Sequence, residues 1–340
     1  MKRRDFNRFA MALGMQPISS WSKSESLIKP AKLKEGDNVG LVAPGSPVPK
    51  EKIQQALETV QRLNLNPILG AHANKALGYI AGTDSERTAD LHTMFKRPDI
   101  DAIWCLRGGY GCTRLLPLLD YDLIRRNPKL LIGYSDVTAL HMALLEKSQL
   151  VSIHGPVATS KPTDYTLSIL KKIIFNTDPV TIRNASKNRA LAHTKPYFKS
   201  YQIFPGTAEG PLVGGNLSLM AALAGTPWSP IYKDKLVFIE DIGEKPYRID
   251  RMLVQLFQAT DLHQAAGIIL GIFNDCQPDP EDKSLSLAET LEGHFRALRV
   301  PACYGFSFGH IDHQCTLPQG IRAKFNADRL SLTLLESAVF

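Results

Sequence analysis

Short apolar runs alternate with amphipathic stretches through the first half of the chain, and this alternation constrains the fold more than any other feature. Asn38–Val42, Ile100–Leu106 and Leu130–Ile132 have the length and composition of buried strands. Lys50–Leu63 and Asp84–Lys96, which lie between them, carry apolar residues at helical spacing. A helix between two strands returns the chain to the same edge of the sheet, so the strands pair in parallel. The sequence therefore predicts an α/β fold with a parallel sheet covered by helices.

The most specific local pattern is Gly-Tyr-Ser-Asp at residues 133–136, between a predicted strand and a predicted helix. A serine on a sharp strand-to-helix turn presents its hydroxyl next to free backbone N–H groups, which can hold an oxyanion. Such a nucleophile elbow usually reads Gly-x-Ser-x-Gly, whereas Val137 stands here in place of the second glycine. Serine is also a favoured N-cap residue. Spacing alone therefore leaves Ser135 as either a nucleophile or a helix cap.

A glycine-rich loop, Arg-Gly-Gly-Tyr-Gly at residues 107–111, follows the predicted strand Ile100–Leu106. Gly108 and Gly109 allow the backbone to approach a ligand closely. An N–H of this pair could complete an oxyanion hole with that of Asp136, or bind phosphate, or simply belong to a tight turn. The spacing matches neither a dinucleotide fingerprint nor a P-loop. Arg107 either meets a substrate carboxylate, which suits guanidinium geometry, or forms a structural ion pair.

Two further candidates end apolar runs in the second half of the chain, Glu240 and His310. A carboxylate bound to the far nitrogen of a histidine fixes its tautomer and stabilises its cation. A histidine with a pKa near 6.5 is suited to act as a general base. Glu240 could instead be one of three solvated loop carboxylates, and His310 could be structural, with His313 as the functional histidine. The pair of histidines could ligate a metal, but no third ligand stands at a suitable spacing.

The length of 340 residues predicts more than one domain. We expect a leader or disordered tail at 1–30, an α/β domain with the nucleophile at 31–170, a proline-containing linker at 171–205, and a smaller β-rich domain at 206–340. The last domain would carry Glu240 and His310. Its predicted strands are Gly210–Val213, Leu236–Ile239, Gly267–Ile272, Ala302–Ser307 and Leu330–Leu334.

Composition excludes several classes of protein. The net charge is +7, but the basic residues are scattered and not interleaved with aromatic residues, as they are on a nucleic-acid surface. No apolar run reaches the roughly 20 residues of a membrane span. The five cysteines include no Cys-x-x-Cys pair, so neither a disulfide framework nor a zinc site is indicated. The pair Arg3-Arg4 resembles a twin-arginine export signal or belongs to a basic tail, which leaves localisation open between cytoplasm and periplasm.

Taken together, these segments resemble the LD-carboxypeptidase family of serine peptidases, which also contains the microcin C self-immunity proteins. The resemblance covers nearly everything from 33 to 335. The matching stretches occur in the family's order and are Val39–Pro47, Leu106–Gly111, Ile132–Thr138, His154–Pro156, Gly210–Leu219, Glu240–Arg251, and Gly309–His310 with Thr316–Gly320.

The resemblance implies a flavodoxin-like N-terminal domain and a small β-rich C-terminal domain. It implies a catalytic triad of Ser135, Glu240 and His310 that assembles across the interface between them. The implied activity is removal of the terminal D-alanine from muropeptide tetrapeptides, at the amide that links the L-centre of a diamino acid to D-alanine. This chemistry requires no metal or organic cofactor, and family members often form homodimers.

The resemblance also implies an oxyanion hole made by the N–H of Asp136 and one N–H of the glycine pair, with Gly109 preferred over Gly108. Two other functions stay open. Within the same fold, the chain could hydrolyse peptidyl-adenylate antibiotics, which requires an aromatic platform for the nucleobase, and no clear loop of the sequence supplies one. In a different class, the glycine loop could hold an anion without turnover, in a binding module.

Overall fold

The computed structural model describes residues 26–281 and 283–340, so the predicted leader with Arg3-Arg4 lies outside the described residues. The described part contains no helix that is long and apolar enough to cross a membrane. Its strands are β1 Asn38–Val42, β2 Asn66–Leu69, β3 Ala102–Cys105, β4 Leu130–Gly133, β5 Ile153–His154, β6 Thr181–Arg183, β7 Tyr201–Phe204, β8 Thr207–Asn216, β9 Leu236–Glu240, β10 Gly267–Leu270, β11 Ala302–Tyr304, β12 Leu317–Pro318, β13 Arg322–Asn326 and β14 Ser331–Leu334.

The α-helices accompany two sheets, and several begin with a side chain that accepts a backbone N–H of the first turn. In the second helix, the Thr83 side chain accepts the N–H of Glu86, and the Glu86 carboxylate accepts the N–H of Thr83. The helices are α1 Lys50–Gln61, α2 Asp84–Lys96, α3 Tyr121–Arg126, α4 Thr138–Ser148, α5 Asp164–Ile174, α6 Ser186–Leu191, α7 Leu217–Leu223, α8 Pro246–Ala259 and α9 Leu287–Phe295.

The first sheet has the order β12-β5-β4-β3-β1-β2. Strands β1 to β5 are parallel, and β12 is antiparallel to β5. Every residue of β3 and β4 is buried, as in a parallel sheet with both faces covered. The predicted parallel-sheet architecture is confirmed.

The second sheet has eight strands in the order β6-β14-β13-β8-β9-β10-β11-β7. Its central strands β8 to β11 are parallel, whereas the pairings that involve β6, β7, β13 and β14 are antiparallel. The expected β-rich second part of the chain is therefore present. The central strands β9 and β10 are buried throughout, which places the carboxyl end of β9 in the interior.

Residues 171–205, predicted as an irregular linker after a helix, contribute β6 and β7 to the two outer edges of the second sheet. Both strands are short and half-exposed, so they lack the continuous apolar runs that reveal the central strands. In β6 a single buried residue, Ile182, stands between two exposed ones.

A buried glutamine ties the two sheets together near the site. Strand β12 belongs to the first sheet, although in the chain it lies between β11 and β13, which both belong to the second sheet. Directly after it, the backbone N–H of Gln319 donates to the carbonyl of Ser152, next to β5, at 2.9 Å. The Gln319 side chain donates to the carbonyl of Gly214 at 2.6 Å and accepts its N–H at 3.2 Å, in β8. Gln319 therefore bridges both sheets.

Candidate active site

Ser135 lies on the sharp turn between β4 and α4, in the short 3₁₀ turn Ser135–Val137. Its φ of +66° falls in the left-handed region, where a residue other than glycine is strained. Gly133 makes room for this turn, because a Cβ there would lie only 3.0 Å from a methyl carbon of Val137. The first glycine of the motif is thus required by packing, and Val137 fills the space that it leaves.

The hydroxyl of Ser135 caps neither of the helical segments that follow it. Instead, it donates to Nε2 of His310 at 2.9 Å, and Nδ1 of the same ring bonds Oε2 of Glu240 at 2.8 Å. An ionised carboxylate can only accept, so Nδ1 carries the proton and Nε2 is free to accept from the serine. The three residues predicted from the sequence form one hydrogen-bonded chain. A strained serine bonded to a histidine–carboxylate pair is typical of serine hydrolases.

Of the two partners of Ser135, Glu240 ends a strand of the second sheet and His310 lies in the segment between β11 and β12. Glu240 is the last residue of β9 and is fully buried, whereas the His310 side chain is 15% exposed. Gly309, with φ +117°, precedes the histidine, and a Cβ there would lie 2.7 Å from a backbone carbonyl and 3.3 Å from Oε2 of Glu240. Glycine therefore allows the close approach of these loops. The alternative histidine, His313, bonds Thr163 at 3.0 Å.

Burial and charge act in opposite directions on the histidine–glutamate pair. Burial alone would lower the pKa of His310, but the charge and hydrogen bond of Glu240 raise that pKa above its ordinary value. Burial alone would raise the pKa of Glu240, and His310 lowers it below its ordinary value. The ionised carboxylate thus favours the protonated imidazole, which is the state a base must reach when it accepts a proton.

The glycine loop packs directly against the serine turn. A Cβ on Gly108 would lie 3.0 Å from the amide nitrogen of Asp136 and 3.1 Å from Cβ of Ser135. Gly109 has φ +88°, and a Cβ there would lie 2.4 Å from Oγ of Ser46. The N–H of Ser46 donates to the carbonyl of Gly108 at 2.9 Å. Gly108 and Gly109 therefore lie between the Ser135 turn and Ser46, where a side chain would be too close to one or the other.

The groups beside this loop have distinct environments. The Asp136 carboxylate accepts the N–H of Cys112 at 2.8 Å, and burial raises the pKa of Asp136. Among the described residues, the N–H groups of Asp136 and Gly109 meet no protein acceptor. Arg107 is exposed; its guanidinium donates to the carbonyl of Pro47 at 3.3 Å, and no described carboxylate lies within 4 Å of it. The ion-pair alternative for Arg107 therefore has no partner in this part of the chain.

A cavity of about 230 Å³ opens beside the histidine. Its lining includes Tyr134 and His310, together with the charged side chains of Lys161 and Asp312. Gln314 also lines the cavity; it is 4% exposed, and its Oε1 has no hydrogen-bond partner among the described residues. The space next to the hydrogen-bonded residues Ser135, His310 and Glu240 is therefore polar and carries both signs of charge.

Two buried histidines near the turn were not identified as functional candidates from the sequence. His141, on α4, bonds the carbonyl of Gly133 at 2.9 Å and the hydroxyl of Ser152 at 2.9 Å. A carbonyl only accepts, so Nε2 is protonated, and burial lowers the pKa of His141 to about 3. His154 packs edge-on against Phe238, and burial lowers its pKa to about 4. The sequence signal that could have identified His141 is its position inside the otherwise apolar pattern of α4.

A second carboxylate lies directly behind Glu240. Asp241 accepts the side-chain amide of Asn216 at 2.8 Å and both the N–H and the hydroxyl of Ser218. Burial, followed by the charge of Glu240, raises the pKa of Asp241 to about 6. Asp241 thereby attaches the start of α7 to the end of β9. Across the described ranges, no group of three or more His, Cys, Asp or Glu side chains is arranged to hold a metal ion.

Comparison with known proteins identifies the family of this serine-hydrolase arrangement. Residues 39–155 match the LD-carboxypeptidase N-terminal domain, and residues 209–325 match the LD-carboxypeptidase C-terminal domain. The probable murein peptide carboxypeptidase of Bacillus subtilis (strain 168) is 40% identical over 298 residues, covering 88% of this chain and 91% of the relative. The chain belongs to the LD-carboxypeptidase family and is a serine-type carboxypeptidase.

Solved structures agree with this assignment. The MccF-like protein from Bacillus anthracis str. Ames superposes with a TM-score of 0.81 at 28% identity, covering 91% of this chain and 99% of that one. The muramoyltetrapeptide carboxypeptidase from Oxalobacter formigenes gives a TM-score of 0.74 at 29% identity, covering 87% and 97%. Both branches of the family thus share this fold.

Proposed function

We propose that this carboxypeptidase hydrolyses the L,D-amide bond to the terminal D-alanine of muropeptide tetrapeptides, with Ser135, His310 and Glu240 as its catalytic triad. The observation that carries the proposal is the hydrogen-bonded chain from the strained serine to the buried carboxylate. The relative with 40% identity is a probable murein peptide carboxypeptidase, which supports the substrate class.

In the first step, Nε2 of His310 takes the proton of Ser135 as the serine oxygen attacks the amide carbon. Glu240 holds the ring through Nδ1 and stabilises the imidazolium that forms. The negative charge that develops on the carbonyl oxygen meets the N–H groups of Asp136 and Gly109, which we assign to the oxyanion hole. Their lack of another protein acceptor supports this assignment.

In the second step, the C–N bond breaks, and Nε2 of His310 gives its proton to the departing amine. Free D-alanine leaves, and the remaining peptide is bound to Ser135 as an ester. Water then attacks this ester, with His310 again acting as the base, and the shortened peptide is released. Every proton transfer in this scheme uses the same ring nitrogen, which already lies within hydrogen-bonding distance of the serine.

Mass spectrometry of disaccharide-tetrapeptide incubated with the purified protein tests the proposal. We expect conversion of tetrapeptide to tripeptide with equimolar D-alanine, and a loss of several orders of magnitude in turnover for Ser135→Ala. Ser168→Ala, an exposed serine on α5, is the matched control and should retain full turnover. Wild-type protein that leaves the tetrapeptide intact would contradict the proposal. Binding without D-alanine release by the wild type would favour the anion-binding module.

A second candidate substrate is a peptidyl adenylate, because one structural neighbour is an MccF-like protein. Tyr79 and Tyr110 form an edge-to-face pair at 5.3 Å, and both rings are more than half exposed. Tyr110 follows Gly109 directly, so this pair offers an aromatic surface beside the glycine loop that could stack on a nucleobase. Parallel assays on both substrates decide between the two proposals. If kcat/KM is higher for the peptidyl adenylate and this preference is lost in Tyr110→Ala, the muropeptide proposal is refuted in favour of the adenylate.

We also propose that the protein forms a homodimer, as the family resemblance implies. Analytical ultracentrifugation of the purified chain at micromolar concentration tests this, and a single species at the mass of one 37.6 kDa chain would refute it.

A further inference from the structure

The polar cavity beside His310 is not used by the triad or by the proposed oxyanion hole. Its volume of about 230 Å³ corresponds to seven or eight water molecules at roughly 30 Å³ each. Alanine has six heavy atoms, so a residue of this size fits. The proposed reaction needs a place for the leaving amino acid, and the geometry of proton transfer indicates where that place is.

The leaving group must lie on the histidine side of the serine. When the C–N bond breaks, the departing nitrogen takes its proton from Nε2 of His310, so this nitrogen has to be within hydrogen-bonding distance of the ring. The amino acid attached to that nitrogen then occupies the space next to His310. The cavity is lined by His310 and by Tyr134, whose ring lies 4.9 Å from the histidine ring.

The charges in the cavity match those of a free amino acid. A carboxypeptidase acts at the chain terminus, so it must distinguish a free carboxylate from a continuing peptide. Lys161 supplies a cation at the cavity, and no described carboxylate lies within 4 Å of it. Asp312 carries the charge opposite to that of Lys161. It suits the ammonium that forms when the released amine takes up a second proton from solvent. The unpartnered Oε1 of Gln314 offers a buried acceptor to the same nitrogen.

We propose that this cavity is the subsite for the leaving C-terminal amino acid and that Lys161 binds its carboxylate. The inference rests on the proposed carboxypeptidase function and adds a residue that recognises the C-terminal carboxylate of the substrate. Arg107 was the cation that sequence reasoning placed near a substrate carboxylate. It does not line this cavity, and its guanidinium donates to the carbonyl of Pro47, beside the glycine loop.

The test compares kcat/KM for disaccharide-tetrapeptide ending in D-alanine with that for the same peptide ending in D-alaninamide. Wild-type protein should prefer the free acid. Lys161→Met should lower kcat/KM for the acid about 10- to 100-fold, the value of a hydrogen bond to a charged group, and leave the amide unchanged. The acid-to-amide ratio then falls towards one, and Lys161→Arg restores it because the cation is kept.

Lys171→Met on α5 is the control, because it removes an equal charge from an exposed position outside the cavity. An unchanged acid-to-amide ratio in Lys161→Met would overturn the inference, as would a ratio that moves in Arg107→Met instead. If the wild type releases D-alanine from the free acid and Lys161→Met has the same kcat/KM, the proposed function stands and only the subsite is refuted. If the wild type hydrolyses neither peptide, both the proposed function and the subsite are refuted.

Discussion

Replacing Glu240 with glutamine tests the triad through both rate and pH dependence. The substitution keeps the shape of the side chain, but it removes the charge that lies 2.8 Å from Nδ1 of His310. A neutral amide no longer fixes the proton on Nδ1 or stabilises the imidazolium. By analogy with the loss of the carboxylate in other serine triads, kcat should fall about 10⁴-fold, or about 5 kcal/mol in activation free energy.

The pH dependence gives the sharper result, because burial and Glu240 act on the pKa of His310 in opposite directions. In the wild type, Glu240 outweighs burial, so the pKa lies above 6.5, and activity falls as the pH drops through that raised value. In Glu240→Gln the charge and the hydrogen bond of Glu240 are lost, and only the weaker charge of Asp241 still opposes burial. The pKa of His310 therefore falls below its wild-type value, and the acid limb of kcat/KM moves to lower pH. NMR titration of the His310 ring measures the same shift without turnover.

The control for this experiment is Glu244→Gln, a loop carboxylate that pairs with Arg248 at 3.6 Å. It should leave both kcat and the acid limb unchanged. A fall in kcat of less than tenfold in Glu240→Gln, or a His310 pKa that does not move down, would refute the assignment of Glu240 as the partner of the base.

Three further substitutions follow from local geometry. Gly109→Ala should lower kcat about 10²- to 10³-fold, because its Cβ would lie 2.4 Å from Oγ of Ser46 and move the proposed oxyanion donor; steady-state kinetics that match the wild type would count against it. Ser135→Gly should raise Tm by about 1–2 °C relative to Ser135→Ala, since glycine relieves the strain at φ +66°, and calorimetry of the two inactive variants checks this. His141→Leu should cost about 1–3 kcal/mol in free energy of unfolding because it leaves the buried hydroxyl of Ser152 without its partner. His154→Phe should cost less than about 1 kcal/mol, since neither His154 ring nitrogen has a described partner, and equal losses in denaturant titrations would contradict this contrast.

The sequence predicts the central strands because their burial is continuous. Strand β1 and helix α2 begin and end where the patterns predict, since apolar runs and the Thr83 capping box mark their ends. The edge strands were missed for the opposite reason. Strand β12 has only two residues, and its position is set by pairing with β5 rather than by its own composition. Such pairings depend on distant segments, which a local pattern does not contain.

The candidate site also has features that could be predicted from the sequence and features that could not. Ser135 could be recognised from its place between a strand and a helix, but its left-handed backbone follows from packing around Gly133 and Val137. His310 lies 70 positions after Glu240 and 175 after Ser135, so residue spacing alone did not place the three together; the family resemblance did. Neither the contacts of His141 nor the cavity at Lys161 could be read from the sequence, because both require the relative positions of separate loops.

The placement of the proposed triad explains why a buried glutamine links the two sheets. Ser135 belongs to the first sheet and Glu240 to the second, and proton transfer requires their relative position to be held within about 0.5 Å. His310 lies in the segment that leaves β11 in the second sheet and enters β12 in the first. Gln319 then bonds Ser152 on one side and Gly214 on the other, so the chain beyond the histidine is fixed to both sheets. A shift of one sheet against the other would have to break these buried hydrogen bonds together, and the distance from Nε2 of His310 to the serine hydroxyl is therefore set by the fold itself.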